Sequence, residues 1–201
     1  GKDAGGALTT GAQNVAIGRD AMLTATTNSS YSTAVGYYSM RNGTGGFGNT
    51  GVGYHTLRDV TGADNIAIGA NALGSDSKGN ANTAVGAAAL FTQNFTSPTD
   101  SVNTGIGFNA GYSITTGTNN TFVGGQAGDG TDDGNGNVAV GKGALSANCA
   151  DSNTAIGTSA GAAITGNSNV AIGAGAMSSA TSDDRAVAIG LNALATMNNT
   201  T

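Results

Sequence analysis

The sequence predicts an all-β protein, a parallel β-solenoid of about eleven coils with 16–18 residues in each coil. Three observations carry this prediction: a five-residue motif recurs along the chain, its spacing is nearly constant, and its composition suits a short strand. The motif runs N-[TV]-A-[IV]-G. Its glycines are Gly18, Gly36, Gly53, Gly69, Gly86, Gly107, Gly124, Gly141, Gly157, Gly173 and Gly190.

The spacing between these glycines indicates one solenoid coil per unit. It is 16–18 residues throughout, except for one interval of 21 residues between Gly86 and Gly107. Such a unit is too short for a pair of helices, whose repeats need about 33 residues or more. It fits two short strands and two turns. Because stacked coils lie about 4.8 Å apart, eleven coils would form a rod of roughly 50 Å.

Each motif predicts a short strand that presents two different faces. The residue before the glycine is always Ile or Val, and two places earlier stands Thr, Val or, once, Ile66. β-branched residues favour strands, and alternate side chains share a face. These two β-branched columns therefore face one way. The central column, which is Ala in eight units and otherwise Gly51, Gly105 or Phe122, faces the other way.

The small size of the central column predicts an oligomer. A position facing solvent would also accept Lys, Glu, Ser or Gln, and none occurs there. We therefore expect the β-branched columns to fill the interior of the coil and a neighbouring subunit to pack against the alanines. A tightly wound monomeric solenoid is the alternative interpretation.

The remaining columns have structural interpretations. Nine units begin with Asn, the exceptions being Ser32 and Ala186. Stacked in register, such amides can form a ladder along the solenoid, and the motif glycine can supply a positive φ at the corner. Because one coil cannot bury its own surface, each rests on the next. We expect residues 1–201 to form a single repeat domain, a segment of a longer fibre.

Composition excludes several classes of protein. Hydrophobic residues make up 38% and the net charge is only −5, which indicates an ordered chain rather than a disordered one. An acidic chain with a pI of about 4.4 lacks the basic patch that nucleic acid requires, so no nucleic-acid partner is expected. No apolar run is long enough for membrane insertion. The single cysteine, Cys149, excludes an intrachain disulfide and is interpreted as a small buried hydrophobic residue.

The N-[TV]-A-[IV]-G-x-x-A-[LMG] units, over residues 14–194, resemble the head repeats of trimeric autotransporter adhesins of the YadA type. They resemble still more closely the longer repeats of bacteriophage tail fibres and related bacterial trimeric fibre proteins. The resemblance implies a left-handed β-roll, a homotrimer, and a role in surface attachment. Coils of 16–18 residues, with Thr-Gly pairs such as Thr61-Gly62 in the second half of the unit, favour the fibre branch over the shorter adhesin coils.

The sequence offers no enzymatic constellation, so no catalytic residue, cofactor or metal site is predicted. His55 is the only histidine and is expected to be an exposed surface residue, and there is no Cys/His cluster for zinc. The acidic run containing Asp129, Asp132 and Asp133 lacks the distal Glu of an EF-hand. An ion site and a plain polar turn both remain possible there.

Aromatic residues give the best candidates for a surface-binding site: Tyr37, Tyr38, Tyr54, Phe91 and Phe95. The two columns after the motif glycine vary freely, as solvent-facing columns do. The longest interval carries an insertion at 91–101, with the only proline, Pro98. Insertions in solenoids map to loops, often on the binding face. Exposed rings there could stack on sugars, or they could pad the local core.

These observations together predict a structural and adhesive fibre segment, on a virion tail fibre or at the extracellular cell surface. The expected partners are copies of the chain itself and a host or cell-surface glycan or protein. Two alternatives are an ice-binding solenoid and a carbohydrate-cleaving one. Ice binding is disfavoured because the Thr column is interrupted by Val and Ile and is expected to be buried. Carbohydrate cleavage needs a pair of carboxylates in one groove.

Overall fold

A computed structural model describes residues 1–24, 29–44, 46–179 and 184–195 and confirms the predicted all-β solenoid. Every motif forms a three-residue strand, because its β-branched residues sit on either side of a small central residue. The strands are β1 (Val15–Ile17), β2 (Thr33–Val35), β3 (Thr50–Val52), β4 (Ile66–Ile68), β5 (Gly79–Asn80), β6 (Thr83–Val85), β7 (Thr99–Asp100), β8 (Thr104–Ile106), β9 (Thr121–Val123), β10 (Val138–Val140), β11 (Thr154–Ile156), β12 (Val170–Ile172) and β13 (Val187–Ile189).

The coils form two compact units, Gly1–Val102 and Asn103–Thr201. Within the first unit, β1, β2, β3, β4 and β6 pair in parallel with the motifs in register, so that Ala16 lies opposite Ala34. Within the second unit, β8 to β13 pair in the same way. The repeated motif is thus one ladder of strands in each unit.

The prediction of two strands in each coil holds at one place only. A second parallel ladder pairs β5 with β7, where Gly79 lies opposite Thr99. In the other coils, the described residues of the second half form turns and bends.

The central column lies inside the coil, so the expectation that a neighbouring subunit packs against it was wrong. Its alanines, such as Ala34, Ala84 and Ala155, are 0% exposed within the single chain. The β-branched columns point outward instead: Ile17 is 56% exposed and Ile189 is 68% exposed. The central residues are small because the opposite wall of a narrow coil lies close to them.

That opposite wall supplies one large buried side chain to almost every coil. Most of these residues lie four places after the motif glycine. In two coils that position is itself a glycine, Gly111 or Gly161, and the isoleucine three places after it fills the core instead. The buried residues are Met22, Met40, Leu57, Leu73, Leu90, Ile114, Leu145, Ile164 and Met177, and Phe122 of the central column plays the same part in its coil. Almost every coil therefore keeps one large apolar group in its core.

The corner after each strand requires glycine. The motif glycines have φ between 122° and 138°, a region that other residues rarely adopt. A Cβ placed on Gly124 would lie 2.7 Å from the carbonyl carbon and oxygen of Gly141 in the next coil. The predicted role of these glycines, positive φ and close approach, is confirmed.

The predicted asparagine ladder is also confirmed. Asn49 and Asn65, for example, are buried, and Oδ1 of Asn49 accepts a hydrogen bond of 2.9 Å from the backbone N–H of Asn65. The amide group of Asn49 donates to the carbonyl oxygen of Gly62 at 2.9 Å. The same pattern recurs in the second unit, where Asn153 donates to the carbonyl of Gly166 and bonds the backbone of Asn169. The side chains thus satisfy backbone groups that would otherwise be buried without partners.

Candidate functional site

Four aromatic rings come together on the first unit, in the two columns that follow the motif glycine. Tyr37 and Tyr38 follow Gly36, and Tyr54 and His55 follow Gly53 one coil later. Because successive coils stack in register, the same columns of neighbouring coils must lie side by side. We call Tyr37, Tyr38, Tyr54 and His55 the ring cluster.

The ring cluster has two layers. Tyr37 and Tyr38 stack with ring centroids 3.9 Å apart and planes 23° apart, and Tyr54 and His55 stack at 4.0 Å and 17°. The rings of Tyr37 and Tyr54 are nearly parallel, at 3°, with centroids 5.7 Å apart. Two coplanar six-membered rings cannot approach this closely, so the rings of Tyr37 and Tyr54 are stacked in parallel and offset sideways. Tyr38 and His55, at 5.0 Å, form the second layer.

Tyr54 is the most exposed ring of the cluster, at 48%. Tyr37, Tyr38 and His55 are half-buried, and Nε2 of His55 is buried without a hydrogen bond. Tyr37 stacks on Tyr38 and Tyr54 stacks on His55, while the guanidinium of Arg19 lies over the ring of Tyr37. We call the parallel, offset rings of Tyr37 and Tyr54 the tyrosine platform. It is a stepped aromatic surface that two stacking contacts hold in place.

Three arginines surround the ring cluster. The guanidinium carbon of Arg19 lies 5.7 Å from the centroid of Tyr37, and that of Arg41 lies 4.8 Å from the centroid of Tyr38. Both distances fall within the range of cation–π contacts. Arg58 lies close enough to His55 to act on its charge.

Two carboxylates partly balance these arginines. Asp20 lies 3.4 Å from Arg19, and Asp59 lies 2.6 Å from Arg58. Asp59 also accepts a hydrogen bond of 2.6 Å from the amide of Asn42. Among the described residues Arg41 forms no ion pair, so three arginines face two carboxylates and one positive charge is left over.

Two groups of the ring cluster have shifted pKa values. A side-chain hydrogen bond with Tyr38 raises the pKa of Tyr37, and burial adds to the effect. Burial lowers the pKa of His55, and the positive charges of Arg58 and Arg41 lower it further. Both rings are therefore neutral near pH 7, and His55 remains so at lower pH than an ordinary histidine.

The structure brings together three of the five aromatic residues predicted from the sequence. Tyr37 and Tyr54 form the tyrosine platform, and Tyr38 lies beneath it. Phe91 is half-buried and packs its ring toward Gly74 in the preceding coil. Phe95 is only 6% exposed, so its inclusion among the surface-binding candidates was wrong. Because the insertion folds back on the coil, its apolar ring is drawn into the core.

Sequence analysis missed His55, Arg19 and Arg41 as members of this cluster. His55 was expected to be an exposed and isolated residue, which is wrong, because it stacks on Tyr54. The signal was present in the repeat. Arg19, Tyr37 and Tyr54 occupy the same column in three successive coils, and that alignment places them in contact.

A groove of about 550 Å³ lies elsewhere on the first unit. Its lining residues are Phe47, Thr61, Ala63, Asp64, Asn80, Ala81, Asp100 and Val102. Asp64 and Asp100 give it the two carboxylates that a carbohydrate-cleaving groove would need. The carboxylate of Asp100, however, accepts a hydrogen bond of 3.0 Å from the amide of Asn80.

In the acidic turn at 129–133, one carboxylate is hydrogen-bonded within the fold and another is partly buried. Asp132 accepts a hydrogen bond from the hydroxyl of Thr115 in the preceding coil, and burial raises the pKa of Asp129. Among residues 1–24, 29–44, 46–179 and 184–195, no three His, Cys, Asp or Glu side chains gather into a potential metal site. Cys149 is buried, as predicted, and its Sγ lies 3.2 Å from the hydroxyl of Thr131.

Within each unit, the outward β-branched columns make a second surface feature, which we call the β-branched face. Its most exposed members are Val15, Ile17, Ile66, Ile68, Ile106, Ile156, Val187 and Ile189. The threonines of the same columns are half-buried rather than enclosed. Contiguous apolar patches are uncommon on the surface of monomeric soluble proteins.

Comparison with known proteins finds no match for the chain among family models, curated proteins or solved structures. In the part of the chain that the structure describes, no helix is long and apolar enough to cross a membrane.

Proposed function

We propose that this chain is a segment of a structural and adhesive fibre, a homotrimer that attaches to a host or cell surface. The observation that carries the proposal is the β-branched face. It presents Ile, Val and Thr in the same register in coil after coil, while the core of each coil is already complete without it.

A second and third copy of the chain are the partners that this face fits best. Because each unit presents the same columns in register in successive coils, the coils of neighbouring copies can pack at the same level within each unit. Charge does not oppose the contact, since Lys, Arg, Asp and Glu are absent from these columns. Three copies, a left-handed roll, and membership of the tail-fibre or YadA-like families come from the resemblance of the motif and belong to the proposal.

The molecular mass in solution tests the assembly. We expect sedimentation equilibrium to give three times the chain mass of 19.3 kDa. Ile156→Lys should dissociate the trimer without unfolding the coil, because this side chain points away from the core. Thr158→Lys is the matched control, since Thr158 is exposed two residues later, beyond the corner glycine, and should leave the mass unchanged. A monomeric parent chain with native circular dichroism would end the proposal.

Attachment would use the ring cluster. Rigid aromatic faces with flanking arginines are typical of recognition surfaces, because tyrosine offers large contact area at little cost in side-chain entropy. Repetition of the cluster on three chains would strengthen weak individual contacts through effective concentration.

Ice binding is the alternative that one observation favours. The Thr column shares the outward face, so it is not buried as the sequence predicted. Val or Ile nevertheless interrupts it in five of eleven units. The fibre proposal expects no thermal hysteresis from the purified protein, and measurable hysteresis would support the ice-binding alternative instead.

A further inference from the structure

We propose that the tyrosine platform binds an acidic glycan, with a sugar ring packed on Tyr54 and a carboxylate of the glycan facing Arg19. This inference rests on the proposed attachment function and names the ligand class for it. It follows from the shape of the platform, its rigidity, and the local charge.

The shape of the platform suits a sugar ring. The two tyrosine rings are parallel to within 3°, with centroids 5.7 Å apart, and Tyr54 is 48% exposed. A sugar ring presents a flat array of C–H groups that packs against an exposed aromatic face such as that of Tyr54. The phenol hydroxyls add polar groups at the edge of the same surface, as sites with an apolar body and a few oriented polar groups do.

The platform is also organised before any ligand arrives. Tyr38 covers the inner face of Tyr37, His55 covers that of Tyr54, and Arg41 packs on the ring of Tyr38. These contacts hold the outer rings in one orientation, so binding orders few side chains. The backbone beneath is fixed by the strand pairing of β2 with β3.

The charge around the platform selects an acidic ligand. The chain carries a net charge of −5, yet three of its four arginines lie at this cluster. Arg19 stands in the same column as Tyr37 and Tyr54, one coil before them, and its side chain is 59% exposed. Its guanidinium lies over the ring of Tyr37, 5.7 Å from the centroid, and so places a cation at the Tyr37 end of the platform. Asp20 engages this arginine at 3.4 Å, longer than a close charge-assisted hydrogen bond, which leaves the guanidinium able to meet a carboxylate.

Truncation of Tyr54 should leave the coil intact. In the next two coils the equivalent column holds Ala70 and Ala87, both exposed, so alanine already occurs at this position in the repeat. A loss of binding by Tyr54→Ala would then report on the platform itself. Tyr31→Ala is the matched control, because Tyr31 is on the same unit, is 68% exposed, and belongs to no ring contact of the cluster.

The experiment measures binding of the full chain to three acidic oligosaccharides and to their uncharged counterparts. The probes are tetragalacturonate and a hyaluronan tetrasaccharide, each with its methyl ester, and sialyllactose with lactose. We expect at least one acidic probe to bind about tenfold or more tightly than its neutral counterpart. Tyr54→Ala should weaken that binding about tenfold or more, Tyr31→Ala should not change it, and Arg19→Gln should reduce it to the level of the neutral probe. Binding should weaken as salt is added.

Several results would overturn this inference. They are no binding of any acidic probe, equal binding of acidic and neutral probes, or equal losses from Tyr54→Ala and Tyr31→Ala. Circular dichroism of each variant verifies that the coils remain folded. If the chain is trimeric but binds none of the acidic probes, only the ligand assignment fails. If it binds them through Tyr54 but is monomeric, the fibre proposal fails and the glycan site stands.

Discussion

At the scale of single residues, Gly124 and Gly125 show how strictly the corner selects glycine. Gly124 has φ of 134°, and a Cβ there would lie 2.7 Å from backbone atoms of Gly141. The nearest atom to a Cβ on Gly125 is 4.0 Å away. We expect Gly124→Ala to lower the free energy of unfolding by about 1–3 kcal/mol or more through strain alone.

The adjacent variant, Gly125→Ala, provides the control. It meets no close atom and should leave stability unchanged or raise it by about 0.4–1 kcal/mol, since alanine restricts the unfolded chain. Urea unfolding of both variants measures the difference. Equal losses at the two positions would contradict the role assigned to the corner.

A buried carboxylate makes a second prediction at this scale. Asp76 is buried and accepts hydrogen bonds from the backbone N–H of Gly79 at 3.0 Å and from Nε2 of Gln93 at 2.7 Å. Burial nevertheless raises the pKa of its carboxyl. The folded state therefore takes up a proton at higher pH than the unfolded state does, and Asp76 contributes more stability as the pH falls through its raised pKa.

Comparison of the parent chain with Asp76→Asn isolates this effect. Relative to the variant, the parent should gain free energy of unfolding between pH 7 and pH 4, by about 1.4 kcal/mol for each unit that separates the two pKa values. Asp184→Asn should show the opposite sign in a lower window: hydrogen bonds from Asn167 lower the pKa of Asp184, so the parent should lose stability relative to this variant as the pH falls below about 4. Urea titrations at several pH values measure both, and a difference for Asp76→Asn that does not change with pH would contradict the prediction.

Some residue positions could be predicted from the sequence and others could not. Glycine at the corners and asparagine before the strands were predictable, because few other residues suit those sites. Tyr38, His55 and Leu73 also have positive φ, between 47° and 59°, a region in which glycine is the usual residue. Their side chains do not favour that conformation. Stacking between coils imposes it, and such tertiary effects leave no local signal.

At the scale of one coil, large and small residues compensate for each other across columns. Gly161 stands where most coils carry Leu or Met, and Ile164 fills the core in its place. A Cβ on Gly161 would lie 2.8 Å from Cδ1 of Ile164 and 3.0 Å from Cδ2 of Leu145. Gly128, at the same position in its own coil, likewise leaves space that the ring of Phe122 fills. The coil therefore conserves interior volume rather than residue type at any one column.

A double-mutant cycle tests this compensation. Ile164→Ala should cost about 2–5 kcal/mol by leaving a cavity, and Gly161→Leu about 1–3 kcal/mol by overpacking. The double variant restores the arrangement of the Leu coils, so it should lose clearly less than the sum of the single variants. Additive losses in urea unfolding would show that the two columns fill separate spaces.

The limited volume inside the coil also explains why the two faces of the strand were assigned wrongly from the sequence. Alternation shows that the central column and the β-branched columns face opposite ways, but not which of them is inside. Small central residues fit a close neighbour of either kind, and that neighbour is the Leu/Met column of the same chain. Stacking of adjacent coils likewise places His55 beside Tyr38, although neither residue is informative on its own.

At the scale of the whole molecule, the coil is the unit that can be removed. Within the second unit each strand pairs only with its neighbours in the chain, and Oδ1 of Asn153 and of Asn169 both accept from the next backbone N–H. Deletion of residues 158–173 would place β11 beside β13, and Asn153 would bond the backbone of Ala186. Because stability in such arrays is a sum of coil and nearest-neighbour contributions, we expect a cooperative fold that keeps its register.

The urea m-value measures the outcome, since it scales with the surface exposed on unfolding. Removal of 16 of 201 residues should lower m by about 8%, with native circular dichroism retained. Deletion of residues 158–165 alone is the control. It removes eight residues, including Gly161 and Ile164, so β11 keeps its outward columns but loses the wall that covers Ala155. That chain should lose at least the 2–5 kcal/mol of the missing Ile164. If the full-coil deletion is as damaging as the half-coil deletion, then the coils depend on contacts beyond their immediate neighbours, and the nearest-neighbour description of this solenoid is wrong.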